Sequence, residues 1–196
     1  MTGRRTAIAL AVGVAVMAAV AGVWVGLSET PPGVAPAAAP PASVAAPAVD
    51  GTLGPRIKAR LFYVAADGQH LTEVEQDVPY SNQTAAQART ILEAQFAPVT
   101  APLVSAIPAG TRLRAVYLTP AGEAYVDLSA EVNHAHPGGL VSEMLTIYTV
   151  VNALAVNLPS VHDVQLLIDG KEADTLAGHF DLRRPLRKHL QLVVAR

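Results

Sequence analysis

The chain has 196 residues, enough for one domain of ordinary size or two very small ones. Its formal net charge is only -2, which gives no electrostatic case for nucleic-acid binding, since that would call for a clustered excess of Lys and Arg. It contains no cysteine, so disulfides, thiolate metal sites and cysteine nucleophiles are excluded as well.

The first feature along the chain is an uncharged apolar segment, residues 6–27, which is long enough to cross a hydrocarbon core of roughly 30 Å. Arg4 and Arg5 precede it, and Glu29 is the first charge beyond it. By the positive-inside rule, residues 1–5 are a cytoplasmic stub and the rest of the chain lies outside. This pattern predicts a single-pass protein of the bacterial cytoplasmic membrane, with its domain in the periplasm or extracytoplasmic space.

A cleaved signal peptide is the alternative interpretation of this segment, because Ala19, Ala21 and Gly22 are small enough for a signal-peptidase site. The apolar run, however, exceeds the roughly 7–15 residues of a signal h-region. It also includes Trp24, which suits a membrane interface. We therefore predict a retained signal anchor.

Residues 28–55 are dominated by Pro, Ala, Gly and Val and are predicted to be a linker. Proline stiffens the backbone toward polyproline II, so this stretch reaches on the order of 90 Å when fully extended. We therefore expect the domain to stand well off the membrane.

The folded domain is predicted over residues 56–188, followed by a C-terminal tail at residues 189–196. Alternating apolar residues and turn signals predict strands, and apolar residues at helical spacing predict helices. The strands are expected at residues 56–64, 71–78, 113–119, 124–128 and 161–168, and the helices at residues 84–97 and 140–158. Residues 190–194 of the tail add a possible further strand.

The second helix is expected to be the main packing element, because Leu140, Ile147, Val151 and Leu154 belong to one apolar stripe. The predicted fold class is α+β: a mixed sheet of about five or six strands packed against two helices.

The most suggestive group for chemistry contains the side chains of a hydrolase triad and a His-x-His pair. Its members are Asp127, Ser129, Glu131, His134 and His136. No Gly-x-Ser-x-Gly elbow surrounds Ser129. A zinc site would need further ligands, for which His162, His179 and Glu143 are candidates, but no helical His-Glu-x-x-His motif is present. We therefore predict no catalytic residue, no metal site and no cofactor.

Polar residues among apolar neighbours are better explained by structure. Glu143 and Asn152 lie within the second predicted helix, where a buried polar side chain must be hydrogen-bonded, and we expect each to brace a loop. His162 and His179 are interpreted as structural histidines. The basic run at residues 183–188 is expected to be a solvated surface, although it leaves open binding to anionic lipid or glycan.

Several segments in order resemble the GerMN domain family, named after a protein of sporulation and spore germination. They are Leu61-Phe62-Tyr63, residues 107–111, residues 124–129, Glu143 with residues 147–154, residues 164–171, Gly178-His179 and Pro185-Leu186. The motif positions expected to be structural are Asp127, Ser129, Glu143, Asn152, Asp169, Gly170, Gly178 and His179. Ala153 and residues 97–99 differ from the residues that are common in the family. These departures concern a local loop and not the fold.

The resemblance implies a ring-building-motif-like fold and a noncatalytic envelope module that assembles or scaffolds, as in sporulation and germination. Its expected partners are cell-envelope proteins or further copies of itself. The alternative functions are binding of peptidoglycan or another envelope glycan, and, less favoured, a serine or metal-dependent hydrolase.

Overall fold

The computed structural model describes residues 54–195, so the predicted stub, anchor and most of the predicted linker lie outside the described residues. Along this part of the chain the elements are β1 (Arg56–Val64), β2 (Leu71–Pro79), α1 (Thr84–Phe96), β3 (Leu113–Leu118), β4 (Glu123–Leu128), α2 (Glu131–His134), α3 (Leu140–Asn157), β5 (Asp163–Ile168), β6 (Lys171–Glu172) and β7 (Val193–Val194), with a 3-10 turn at Leu190–Leu192 before β7. The predicted α+β class is confirmed.

The strands form two sheets instead of the single mixed sheet that we predicted. The first sheet has the order β1-β2-β7, and the second has the order β3-β4-β5-β6. The difference arises because β1 does not pair with a strand of the second sheet. The described residues contain seven strands, against the five or six expected: β7 lies within residues 190–194, where a further strand was expected, and the two-residue strand β6 was not predicted.

The first sheet is built on the predicted hairpin. β1 pairs antiparallel with β2 around the Asp67-Gly68 turn, in a continuous register from Arg56 opposite Pro79 to Val64 opposite Leu71. β7 then pairs parallel with only the first two residues of β2. The rest of β2 is therefore an edge, which fits its acidic side chains.

The outer edge of β1 is closed by groups that do not belong to a strand. The main-chain N–H and C=O groups that point away from β2 recur at every second residue of β1. At three successive positions of this kind they are hydrogen-bonded to groups outside any strand. The pairs are Arg60 with the side chain of Asn157, Phe62 with the side chain of Gln95, and Val64 with the main chain of Val104. These contacts satisfy the buried backbone and end the sheet.

The second sheet combines the predicted β3-β4 hairpin with β5, which runs parallel to β4. Asp169-Gly170 forms the turn from β5 to β6, and both residues have positive φ, at 50° and 76°. An Asp-Gly pair is favoured in this kind of tight turn. β5 lies between β4 and β6, so the expected central strand is confirmed.

Helix α3 is the core element of the domain, and it contacts β1 of the first sheet and β5 of the second. Every residue from Leu145 to Ala155 is buried, so the helix is enclosed on all faces and not along a single stripe. Leu140, which we placed in that stripe, is instead 51% exposed; in the first turn of the helix only Glu143 is buried.

Helix α1 packs against α3 and touches both sheets. By length and composition alone, α3 is apolar enough to span a membrane, but its burial within the domain accounts for that composition. The 3-10 turn and β7 belong to the same domain, so the segment delimited as the tail contributes to the fold.

Candidate functional site

Glu143 lies in the first turn of α3 with a side chain that is 0% exposed. Its Oε2 accepts the main-chain N–H groups of His179 at 3.2 Å and Phe180 at 2.9 Å, and its Oε1 lies 2.7 Å from Nδ1 of His179. The expectation that Glu143 braces a loop is confirmed. Burial alone raises the pKa of Glu143, but the hydrogen bonds from Phe180 and His179 outweigh it and the pKa is lowered.

His179 completes this pair from the loop side. Its side chain is 55% exposed, and it follows Gly178, whose φ of +108° disfavours any residue with a Cβ. A buried carboxylate bonded to a histidine is part of a catalytic triad, but a triad also needs a nucleophile. In the part of the chain that the structure describes, no nucleophilic side chain hydrogen-bonds to His179.

Asn152 is one position at which α3 holds the C-terminal segment. Its Oδ1 accepts the His189 N–H at 2.8 Å, and its Nδ2 donates to the His189 carbonyl at 3.3 Å. The prediction that Asn152 braces a loop is also confirmed. Tyr148, one turn earlier, packs against the rings of both His189 and Phe180, at centroid distances of 5.0 and 5.9 Å. The same helix face therefore holds two successive stretches of irregular chain.

A second cluster joins Asp127, Asp169 and Gly170 from the sequence motifs. Asp127 accepts the Gly170 N–H on Oδ1 at 2.7 Å and the Arg114 Nε–H on Oδ2 at 3.0 Å. Arg114 also donates to Asp169 at 2.5 Å. Asp127 is almost fully buried, so this network fixes the β5-β6 turn against β3 and β4.

The structure does not assemble the hydrolase that the sequence suggested. The hydroxyl oxygen of Ser129 accepts the Arg112 N–H at 2.9 Å, and Asp127 is held by Arg114 and Gly170 instead of a histidine. His134 is exposed at the end of the short helix α2. Within residues 54–195, no three His, Asp or Glu side chains come together as metal ligands.

His136 has a structural environment that sequence reasoning did not anticipate. Its Nδ1 accepts the Gly138 N–H at 2.9 Å, so the proton of the neutral ring lies on Nε2. That Nε2 is 3.0 Å from the hydroxyl oxygen of Thr146, and the Thr146 hydroxyl lies 2.6 Å from the Ala106 carbonyl, to which it donates. Burial, as the main cause, lowers the pKa of His136, against opposing effects from Glu143 and the Ser142 carbonyl.

A surface groove of about 640 Å³ lies at the start of α3, and it is lined by Ala106 and Gly138, whose main-chain groups bind this cluster. None of its lining residues carries a charge, and Leu140 and Val141 on its rim are 51% and 47% exposed. The lining comes mainly from three segments, residues 105–108, residues 137–139 and the first turn of α3. Exposed apolar surface of this kind is typical of binding sites.

Four further buried or half-buried polar side chains with structural contacts were not predicted from the sequence: Gln87, Gln95, Asn157 and Thr146. The three carboxamides each pair main-chain groups that no strand reaches, and Thr146 links a loop to α3. The available signal was a polar residue at a core-facing position of a helix, as at Gln95 beside Ile91 and Leu92.

A sequence profile described as "Germane: Sporulation and spore germination" matches residues 60–174. No match was found among curated protein sequences. Among solved structures, the tandem GerMN domains of the sporulation protein GerM from Bacillus subtilis share 20% identity and a TM-score of 0.52. That similarity covers 68% of this chain but 46% of the tandem-domain chain, and at this identity it supports the fold alone.

Two further structures score lower. The first GerMN domain of the same Bacillus subtilis protein is 23% identical, with a TM-score of 0.48 and coverage of 67% of this chain and 97% of that one. A protein described as a lipoprotein from Clostridium perfringens is 20% identical, with a TM-score of 0.48 and coverage of 73% and 95%.

Proposed function

This chain belongs to the Germane family of sporulation and spore germination domains, and from that premise we propose that it is a noncatalytic assembly module of the cell envelope. We further propose that residues 6–27 anchor it in the cytoplasmic membrane and that the domain acts outside the cytoplasm through protein-protein contacts. The family membership confirms the GerMN resemblance found in the sequence. The assembly role and the anchor are our inferences.

The observation that carries this proposal is the uncharged groove at the start of α3. Exposing Leu140 and Val141 to water is unfavourable, and an apolar partner surface would remove that cost. The polar motif residues, by contrast, are occupied in holding loops and turns, as the contacts of Glu143 and Asp127 illustrate. This arrangement favours association over catalysis.

For the occupant of the groove we commit to a second copy of this chain. A twofold contact brings the same patch of both copies together, so a charge close to the twofold axis would meet its own copy. The groove lining contains none, which removes this penalty. Its apolar rim residues Leu140 and Val141 could enter the groove of the facing copy. An envelope protein with an apolar segment is the competing occupant.

Light scattering during size-exclusion chromatography of the full chain in neutral detergent, with cross-linking in cells, tests this proposal. We expect a concentration-dependent oligomer that the double variant Leu140→Glu with Val141→Glu abolishes. Glutamate suits the first turn of a helix, so α3 should persist. Tyr117→Glu is the matched control, because Tyr117 is 60% exposed but does not line the groove.

A strict monomer with no cross-linked partner would refute the assembly role. Cross-linking to a different protein, abolished by the same double variant, would replace the second copy by that partner. Binding of the full chain to purified cell wall at moderate salt, unchanged by the double variant, would favour the glycan alternative. Within the basic run at residues 183–188, which is the candidate glycan-binding surface, Arg183 pairs with Asp181 and Arg187 pairs with Asp163. These ion pairs reduce the positive charge available to a glycan.

A further inference from the structure

The walls of the groove are joined by two side chains that do not themselves line it. His136 binds the Gly138 N–H and Thr146, and Thr146 in turn binds the Ala106 carbonyl. Gly138 belongs to one wall segment, Ala106 to a second, and Thr146 lies on α3, whose first turn forms the third. One imidazole and one hydroxyl therefore connect all three segments.

This connection requires a neutral imidazole. Nδ1 of His136 must offer a lone pair to the Gly138 N–H, and a protonated ring would present a second N–H at the same place. Two donors cannot share a hydrogen bond, so protonation must break the contact to Gly138. Gly138 and Gly139 have φ values of +79° and +91°, and this pair of glycines can change conformation with little steric resistance.

We propose that His136 is a pH-sensitive latch of the groove: the neutral ring holds the wall at residues 137–139 in place, and protonation in mild acid releases it and weakens association. This inference rests on the proposed function of the groove and adds its regulation. Histidine is the side chain whose ordinary pKa lies nearest to physiological pH, so acidification of the envelope is the change that would protonate this ring.

The charges around His136 decide the direction of the effect. On α3 the facing charged group is Glu143, which favours protonation, while the wall segments 105–108 and 137–139 contain no titratable side chain. On α2, Glu131 is directed to Arg112, and His134 is exposed.

Burial prevails over the effect of Glu143, so the folded pKa of His136 lies below its ordinary value of 6.5. The unfolded or released form thus takes up the proton first. The stability that the neutral ring contributes to the latched form is fully present above pH 6.5, and it is lost as the pH falls from 6.5 through the folded pKa of His136.

Nuclear magnetic resonance of the full chain in detergent tests the latch without reference to association. At about pH 7.5 we expect His136 to carry its proton on Nε2 and the Gly138 amide to be hydrogen-bonded. As pH falls below about 6.5, the Gly138 amide should shift in step with the His136 ring. A ring that carries its proton on Nδ1 at neutral pH would overturn the inference, and so would a Gly138 amide chemical shift that does not follow the titration of His136.

The second measurement is the association constant at about pH 7.5 and about pH 5, where we expect a loss of roughly tenfold for the unmodified chain. In His136→Asn the amide oxygen can replace Nδ1 as acceptor without titrating, so the loss should shrink to about twofold or less. His134→Asn and His70→Asn are controls and should keep the full loss, because His134 is exposed and His70 pairs with Asp67 beside the groove.

If His136→Asn fails to fold, Thr146→Val provides the test, because it keeps the shape of the side chain and removes the link to Ala106. We expect it to weaken association at neutral pH as well. Association that is equally strong at both pH values, with the Gly138 shift intact, would overturn the regulatory inference while leaving the proposed function standing. No association at either pH would refute the proposed function and the regulation of it, and the Gly138 titration would still decide whether the latch exists.

Discussion

The carboxamide of Gln95 pairs with both main-chain groups of Phe62. Its Oε1 accepts the Phe62 N–H at 2.8 Å, and its Nε2 donates to the Phe62 carbonyl at 2.8 Å. Both residues are fully buried. A helix side chain therefore supplies the hydrogen bonds that a neighbouring strand would make, and this is why β1 can be an edge strand inside the core.

Replacing Gln95 by Ala should destabilise the domain by about 2–5 kcal/mol, because two buried main-chain groups lose their partners. Gln95→Glu should also be strongly destabilising, since an ionised carboxylate cannot donate to the Phe62 carbonyl. Chemical denaturation of the full chain measures both effects. Gln69→Ala, in the exposed β1-β2 turn, is the control and should change the unfolding free energy by less than about 0.5 kcal/mol. Equal effects of Gln69→Ala and Gln95→Ala would contradict the edge-capping role.

Replacing Glu143 by Gln should cost about 2–4 kcal/mol at neutral pH, because an amide has one acceptor oxygen where Glu143 uses two. Hydrogen exchange at the His179 and Phe180 amides should accelerate. The folded pKa of Glu143 is lowered from 4.5, so its stabilisation is complete above 4.5 and is lost as pH falls through the folded pKa. The difference in unfolding free energy between Glu143→Gln and the unmodified chain should therefore become smaller in strong acid.

The control for this substitution is Glu75→Gln, on the exposed part of β2. It should leave the unfolding free energy and the exchange of the loop amides unchanged. A Glu143→Gln variant whose loop amides remain as protected as those of the unmodified chain would show that the brace is not needed.

Replacing Asn152 by Ala should release the segment that follows Pro185, because it removes both hydrogen bonds to His189. Limited trypsin digestion should cleave after Arg187 and Lys188 several-fold faster than in the unmodified chain, since proteolysis needs a locally opened backbone. Asn133→Ala, at an exposed position of α2, is the control. Unaltered cleavage in Asn152→Ala would mean that other contacts hold this segment.

Replacing Asp127 by Ala should cost about 2–4 kcal/mol, because its carboxylate joins Gly170 and Arg114 in a nearly buried position. The matched control is Asp77→Ala, where an exposed ion pair with Lys58 is removed. Such surface pairs contribute less than about 1 kcal/mol. Denaturation curves compare the two variants, and a loss for Asp127→Ala no larger than that for Asp77→Ala would exclude the network as a structural element.

The carboxamide contacts also explain what could not be predicted about the sheet. Alternation and turn signals located β1 and β2 to within a residue, and Asp169-Gly170 marked its turn correctly. The local pattern of β1 does not indicate that one of its two edges has no neighbouring strand. The partner of its free edge is Gln95 on one helix and Asn157 on another, and such long-range pairings leave no periodic trace in the chain.

The candidate site divides in the same way. Polar residues within apolar surroundings identified Glu143 and Asn152 as loop braces, because a buried polar group must find a partner wherever the chain folds. The same reasoning could not single out His136, since its two contacts depend on how Gly138 and Thr146 meet it in space.

The amino-acid sequence by itself determined the order and type of the main elements, the α+β class, the family resemblance and the need for buried polar partners. Those properties depend on local period, turn chemistry and the cost of burying a polar group. Only the tertiary structure decided that the strands divide into two sheets, that Leu140 and Val141 are exposed beside a groove, and that His136 joins the walls of that groove. Each of these depends on contacts between residues distant in the chain, where packing and hydrogen-bond geometry, and not local preference, select the partner.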